Sequence, residues 1–209
     1  MIRSKSLHGM NIVFLFREGI ITPPSNEALI GLFQGDASRG VHLLDDTAIG
    51  TKMLDVPSQN VQVFWEGRRL RIEDKKNQEP DESSLFKSAW DIFEKLFPEK
   101  KEALEGVGAN FDLYYQFSDV IRLEEIFSRL HPTPKMLGDS LLDFGWQWTV
   151  GMGDGSLEGY FVKITAPLEL AVHFNKHLRV RALPRMEEFA TIMKGSYRNL
   201  DHTIGGLAL

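Results

Sequence analysis

The sequence predicts an α+β protein in which long amphipathic helices pack on one face of antiparallel sheet. Two segments alternate apolar and polar residues around a turn, others place apolar residues at helical spacing, and a hairpin followed by a helix occurs twice, at 61–97 and 144–200. The 209 residues are 43% hydrophobic and 25% charged, as in an average globular protein. We expect one domain over residues 1–209, built from two related halves, 1–117 and 118–204.

The first elements are predicted to be strands and one short helix. Residues 11–16 (NIVFLF) form a continuous apolar run rich in β-forming residues, which is typical of a buried strand. Ser25 follows two prolines and can cap a helix over 26–33 by accepting a hydrogen bond from a free N–H of the first turn. Short strands are predicted at 41–44 and 51–56.

The clearest hairpin pattern is VQVFWEGRRLRIED, which begins at Val61. Its Glu66-Gly67 pair predicts a two-residue turn, because glycine adopts positive φ without steric cost. One face of the folded hairpin is then almost entirely apolar and the other largely polar, which indicates one buried face. The residues predicted to pair are Trp65 with Arg68, Val63 with Leu70, and Val61 with Ile72.

Two helices separated by a strand are predicted next. Residues 84–97 place aromatic and aliphatic side chains along one wide stripe, which is the pattern of an amphipathic helix. Residues 107–117 form a strand. A second helix is predicted to begin at Ser118 or Asp119, either of which can cap it, and to extend to residue 130.

A second hairpin, a strand and a long helix complete the predicted chain. Residues 144–150 and 160–165 alternate apolar and polar positions around a glycine-rich turn. Residues 168–174 are predicted as a strand, with a helix beginning at Pro167 as the alternative. The last helix spans residues 184–200, because its apolar side chains recur at helical spacing.

Composition excludes several classes of site. The chain has no cysteine, which excludes disulfides, cysteine-ligated metals and cysteine nucleophiles. The apolar run near the N-terminus is too short for a secretion signal, and no run approaches the ~20 apolar residues that a membrane span needs. We therefore expect a cytoplasmic protein with no membrane association and no cofactor. Its formal charge of −5 argues against a dedicated nucleic-acid binder.

A local basic patch near the C-terminus departs from this overall acidity. Residues 176–198 carry six basic and two acidic side chains, a net charge of +4 (6 − 2). A solvated helix face is the preferred interpretation, and contact with nucleic-acid phosphates is the alternative. The candidate contact residues are Lys176, Arg179, Arg181, Arg185 and Arg198.

Two sets of residues have the chemistry of a metal site. Asp55, Glu73 and Lys75 resemble the set with which a nuclease holds Mg²⁺ and polarises a water, although alternation places Glu73 on a solvated face. His173 and His177 would share one face of a helix at metal-ligand spacing. In the preferred strand they lie about 13 Å apart, too far for one ion. A metal-dependent hydrolase or nuclease is therefore the alternative function.

The sequence has clear strand and helix patterns but no catalytic motif, which favours a non-enzymatic function. Exposed sheet edges add partner strands readily, and the strong aromatic content offers a groove for a partner. We therefore expect a protein–protein interaction module, or an accessory or regulatory subunit, whose partner is another protein in a hetero-complex or a homodimer. The candidate partner-binding residues lie at the tip of the first hairpin: Trp65, Arg68, Arg69 and Arg71.

Four segments resemble a sporadically distributed family of uncharacterised bacterial proteins. They are VQVFW, SLFKSAWDIFEKLFP, VGANFDLYYQF and the final helix MEEFATIMKGSYRNLDHTIGGL. The resemblance covers about two-thirds of the chain as a pattern of hydrophobic residues and implies no catalytic chemistry. The scattered distribution of that family implies genes carried on mobile or defence-linked clusters.

Overall fold

The computed structural model describes residues 1–18, 22–33, 41–46, 48, 50–57, 59–119 and 145–207. Nine strands and three α-helices lie within these ranges. The strands are β1 (Ile2–Phe16), β2 (His42–Asp46), β3 (Thr51–Val56), β4 (Val61–Glu66), β5 (Arg69–Asp74), β6 (Leu104–Phe117), β7 (Gly145–Gly151), β8 (Leu157–Ala166) and β9 (Glu169–Arg179). The helices are α1 (Asn26–Gly31), α2 (Leu85–Leu96) and α3 (Met186–Leu207).

The strands form one antiparallel sheet in the order β2-β3-β4-β5-β1-β6-β9-β8-β7. The long strands β1 and β6 pair at its centre, so the N-terminal strand joins the two groups of hairpin-connected strands. The predicted mixture of helices with antiparallel sheet is thus confirmed. Among the described residues, no helix is both long and apolar enough to cross a membrane.

The two faces of the sheet differ in chemistry. We call one the core face, because its side chains are buried and apolar; they include Ile12, Phe14, Trp65, Ile72, Phe111, Val172 and Phe174. Trp90 of α2 contacts Phe14 with ring centroids 5.3 Å apart, and Tyr197 of α3 contacts Phe111 at 5.1 Å. We call the other the polar face; its side chains include Asn11, Arg71, Asn110, Asp112, Tyr114, Phe161, Lys163, Ala171, His173, Asn175 and His177.

The first hairpin has the predicted faces but a different register. Its two-residue loop is Gly67-Arg68, so Trp65 pairs with Leu70 rather than with Arg68. The register prediction was wrong because the glycine occupies the first loop position, with a φ of 60°, as in a type II′ turn. The slip is two residues, an even number, so every side chain keeps its face.

Strand β1 extends well beyond the predicted apolar run. Its pairing with β6 shifts between Leu7, opposite Leu113, and Gly9, opposite Asp112, which leaves His8 as the extra residue of a bulge. The bulge reverses the alternation, so Lys5 and Leu7 before it face the core together with the even residues after it. A single alternating pattern therefore does not describe the first half of the strand.

Other elements agree with the sequence to within about three residues, except that β9 and α3 end at residues 179 and 207 instead of the predicted 174 and 200. The Ser25 hydroxyl accepts a hydrogen bond from the Ala28 N–H at 3.1 Å, which confirms the predicted cap. The strand predicted over 168–174 is β9, so the alternative helix from Pro167 is wrong. The rest of the helix predicted to begin at Ser118 or Asp119 lies in 120–144, outside the described residues.

Candidate functional site

A depression of about 400 Å³ opens on the polar face above Ala171. This residue lies on β9 directly between Tyr114 of β6 and Lys163 of β8. Alanine is much smaller than either neighbour, so the sheet surface is low at this point. The depression is also lined by His8, Asp112, Phe161 and His173.

His173 and Asp112 form the polar wall of the depression. The two residues are directly opposite on β9 and β6, and the His173 Nδ1 and Asp112 Oδ1 atoms lie 2.6 Å apart. Their side chains are 45% and 50% exposed. The hydrogen bond to Asp112 raises the pKa of His173 above its usual value, while partial burial acts in the opposite direction.

The bulge in β1 shapes the opposite wall. It directs His8 over the ring of Tyr114, with ring centroids 4.5 Å apart, and His8 Nε2 lies 3.1 Å from the Ser6 hydroxyl. A Cβ on Gly9 would lie only 2.9 Å from Asp112 Oδ2. Glycine at position 9 therefore leaves the room that the Asp112 carboxylate occupies.

A row of asparagines crosses the three central strands beside the depression. Asn11 on β1, Asn110 on β6 and Asn175 on β9 are direct cross-strand neighbours. The Asn110 amide donates to Asn11 Oδ1 at 2.6 Å, and the Asn175 amide donates to Asn110 Oδ1. The row therefore fixes the side chains of this part of the polar face.

The second histidine of β9 lies in a different environment. His177 is opposite Gly108, and its ring atoms lie 2.2 and 2.3 Å from where a Cβ on Gly106 would be. Burial against these glycines lowers the pKa of His177, and nearby arginines add to the effect. Four residues of strand separate His177 from His173, about 13 Å, so the two rings cannot share one metal ion.

The carboxylates proposed for a metal site each bind a cation of the protein. The Asp55 carboxylate pairs with Lys75 at 3.0 Å, and the Glu73 carboxylate pairs with Arg71 at 2.7 Å. Strand β4 separates Asp55 from Glu73, since Gln62 is opposite both. Within the described ranges, no group of three or more His, Asp or Glu side chains could hold a metal ion.

The candidate partner-binding residues at the hairpin tip do not form one exposed surface. Trp65 is 1% exposed and packs against Phe16 and Phe97, because it lies on the core face of β4. Arg69 is exposed. Arg68 pairs with Glu105 at 2.8 Å, and Arg71 lies over the Phe64 ring at 3.8 Å.

The C-terminal basic residues are also dispersed. Lys176 is only 3% exposed and its Nζ lies 3.1 Å from the Glu158 carboxylate, so it is not available to a phosphate. It is buried because its β9 position faces the core. Arg198 pairs with Asp81 at 2.7 Å, and Arg185 lies 3.8 Å from Glu188. Arg179 and Arg181 are exposed, at the end of β9 and just beyond it.

Of the sequence candidates, only His173 contributes to the depression. Sequence reasoning missed Asp112, His8, Gly9 and Ala171, although the alternation in VGANFDLYYQF places Asp112 on the polar side of its strand. Comparison of the chain with protein-family models, curated proteins and solved structures found no match.

Proposed function

We propose that the protein is a non-enzymatic accessory subunit that binds another protein through the polar face of its sheet. In this arrangement both long helices cover the core face and leave the polar face to the partner. The contacts of Trp90 with Phe14 and of Tyr197 with Phe111 support it. The resemblance to scattered bacterial proteins supports a bacterial complex linked to mobile or defence genes as the setting.

The depression beside Phe161 is the observation that carries the proposal. The Phe161 ring is 42% exposed, at the border of a concave region with fixed hydrogen-bonding side chains. Aromatic groups beside pockets and satisfied polar groups are typical of protein-binding surfaces. An exposed ring on a strand also loses little conformational freedom when a partner covers it.

The hydrogen bonds around the depression favour binding over nucleophilic catalysis. An activated serine needs a base within hydrogen-bond reach that is itself held by a third group. Here the histidine held by a carboxylate is His173, which is bound to Asp112. The Ser6 hydroxyl is instead hydrogen-bonded to a different histidine, His8. Among the described residues around the depression, the His173–Asp112 pair and the His8–Ser6 pair are therefore separate and do not form one catalytic triad.

Copurification with paired variants tests the proposal. The tagged protein, Phe161→Ser and Ile192→Ser are each purified from native cells, and the bound proteins are identified by mass spectrometry with light scattering on the same fractions. Ile192 lies on α3 and is 38% exposed, so it matches Phe161 in exposure but lies elsewhere. Thermal unfolding checks that both variants fold.

We expect the wild type and Ile192→Ser to retain one partner, or a second copy of the chain, at fixed stoichiometry, and Phe161→Ser to lose it. A monomeric wild type without a bound protein would refute the proposal. Loss of the partner in Ile192→Ser alone would place the interface on α3 and would equally overturn the role of the polar face.

A further inference from the structure

The geometry points to a second role for the depression above Ala171: we infer that it binds a small molecule in which a carboxylate is attached to an apolar, ring-sized body. This role does not require that the polar face bind a protein. It follows from three properties of the depression, which are its hydrogen-bonding group, its charge and its apolar walls.

His173 supplies the hydrogen bond to the carboxylate. Its Nδ1 is held by Asp112, so Nε2 is the ring nitrogen that remains for a ligand. A protonated imidazole donates from both nitrogens, here to Asp112 and to the ligand. Such charge-assisted bonds are short and about twice as strong as neutral ones. Asp112 also fixes the ring orientation, because the Gly9 backbone leaves room for its carboxylate.

The basic side chains around the depression favour an anion over a cation. Lys163 and His8 line the depression together with His173, and the Tyr114 ring lies beside them. On β6 and β9, beside the depression, the carboxylates on this face are Asp112 and Glu169. Asp112 is bound to His173. Glu169 lies next to Ala171 on the same face of β9 and accepts hydrogen bonds from Gln116 and Thr165. Both carboxylates therefore already accept hydrogen bonds from the protein.

The walls of the depression fit a flat apolar body. Phe161 forms one side, and Tyr114 with His8 above it forms the other. Ala171 at the floor leaves a cavity of about 400 Å³, within the range of small-molecule sites. A ring between these aromatic side chains would be covered on both sides while its carboxylate reaches His173.

Binding of benzoate to the full chain tests the inference, with benzamide and acetate as comparison probes. Benzamide keeps the ring but has no charge, and acetate keeps the charge but has no ring. Binding is followed by NMR through the histidine ring protons. We expect benzoate to bind about tenfold more tightly than either probe, and its affinity to fall about tenfold between about pH 6 and about pH 9 as His173 loses its proton.

Three variants assign the site. His173→Gln should lose about tenfold in benzoate affinity, the cost of a charge-assisted bond. Ala171→Leu fills the depression while retaining His173 and Asp112 and should abolish binding, which covers the case that His173→Gln does not fold. His177→Gln, on the same strand and face, should bind as the wild type does.

Several outcomes would overturn the inference. They are no shift of the His173 ring protons at millimolar benzoate, equal affinities for benzoate and benzamide, or an unchanged affinity in Ala171→Leu. Because the probes are small molecules, these results are independent of whether Phe161→Ser loses a protein partner.

Discussion

The buried ion pair between Lys176 and Glu158 gives the sharpest stability prediction. The two residues are 3% and 8% exposed, on neighbouring strands β9 and β8. The Glu158 carboxylate accepts hydrogen bonds from Lys176 at 3.1 Å, Ser196 at 3.1 Å and Tyr160 at 2.7 Å. Ser196 belongs to α3, so this cluster connects the helix to the sheet.

Lys176→Met keeps most of the side-chain stem and removes the charge, which leaves the Glu158 carboxylate buried without its cation. Removing one partner of a buried pair costs about 3–5 kcal/mol. We therefore expect the free energy of unfolding, measured by urea titration, to fall by that amount. This loss is a large part of the free energy of unfolding of a typical domain, which is only about 5–15 kcal/mol.

The double variant Lys176→Met with Glu158→Leu separates the charge from the packing. Removing both charges should recover at least about 2 kcal/mol of the loss, because a buried pair is often replaceable by apolar residues. A loss below about 1 kcal/mol in Lys176→Met, or strictly additive effects in the double-mutant cycle, would refute the reasoning. Such a result would mean that water reaches the pair.

Two further predictions concern glycine and histidine on the polar face. Gly108→Ala should destabilise by about 1–3 kcal/mol, because its Cβ would lie 2.8 Å from the backbone oxygen of Lys176. Gly159→Ala, whose Cβ meets its nearest atom at 3.7 Å, should change urea stability little, and equal effects would contradict this. In an NMR titration His173 should titrate above the usual histidine pKa and His177 below it. Asp112→Asn should lower the pKa of His173, and an unchanged value would exclude the hydrogen bond as the cause.

The signs of the two histidine contributions to stability are opposite. The raised pKa of His173 stabilises the fold below the unfolded-state pKa of about 6.5, and this contribution is lost as the pH rises through the folded-state pKa. The lowered pKa of His177 favours the fold above the unfolded-state value, and that contribution is lost as the pH falls through the folded-state pKa.

The strand and helix content was largely predictable because binary patterning records which face of each element is buried. Residues 168–174 illustrate this, since period-two alternation predicted β9 correctly against a helix. The hairpin register was not predictable from the Glu66-Gly67 pair, because the glycine can occupy either position of a two-residue turn. The two registers bury nearly the same side chains, so the hydrophobic pattern does not separate them.

The depression could not be predicted because it depends on pairing between distant strands. Asp112 and His173 are 61 residues apart, and their contact requires β6 to lie beside β9 in one particular register. A bulge at His8 also reverses the alternation of β1. Lys176 shows the same difficulty, because only the register reveals that its basic side chain faces the core beside Glu158.

Hydroxyl-radical footprinting of the complex purified from native cells tests the central claim most directly. It measures side-chain accessibility with and without the partner, and it reads Phe161 and Ile192 in one experiment. We predict that oxidation of Phe161, on the polar face, falls when the partner is bound, while oxidation of Ile192, on α3, stays the same. Protection of Ile192 with unchanged oxidation of Phe161 would contradict the account.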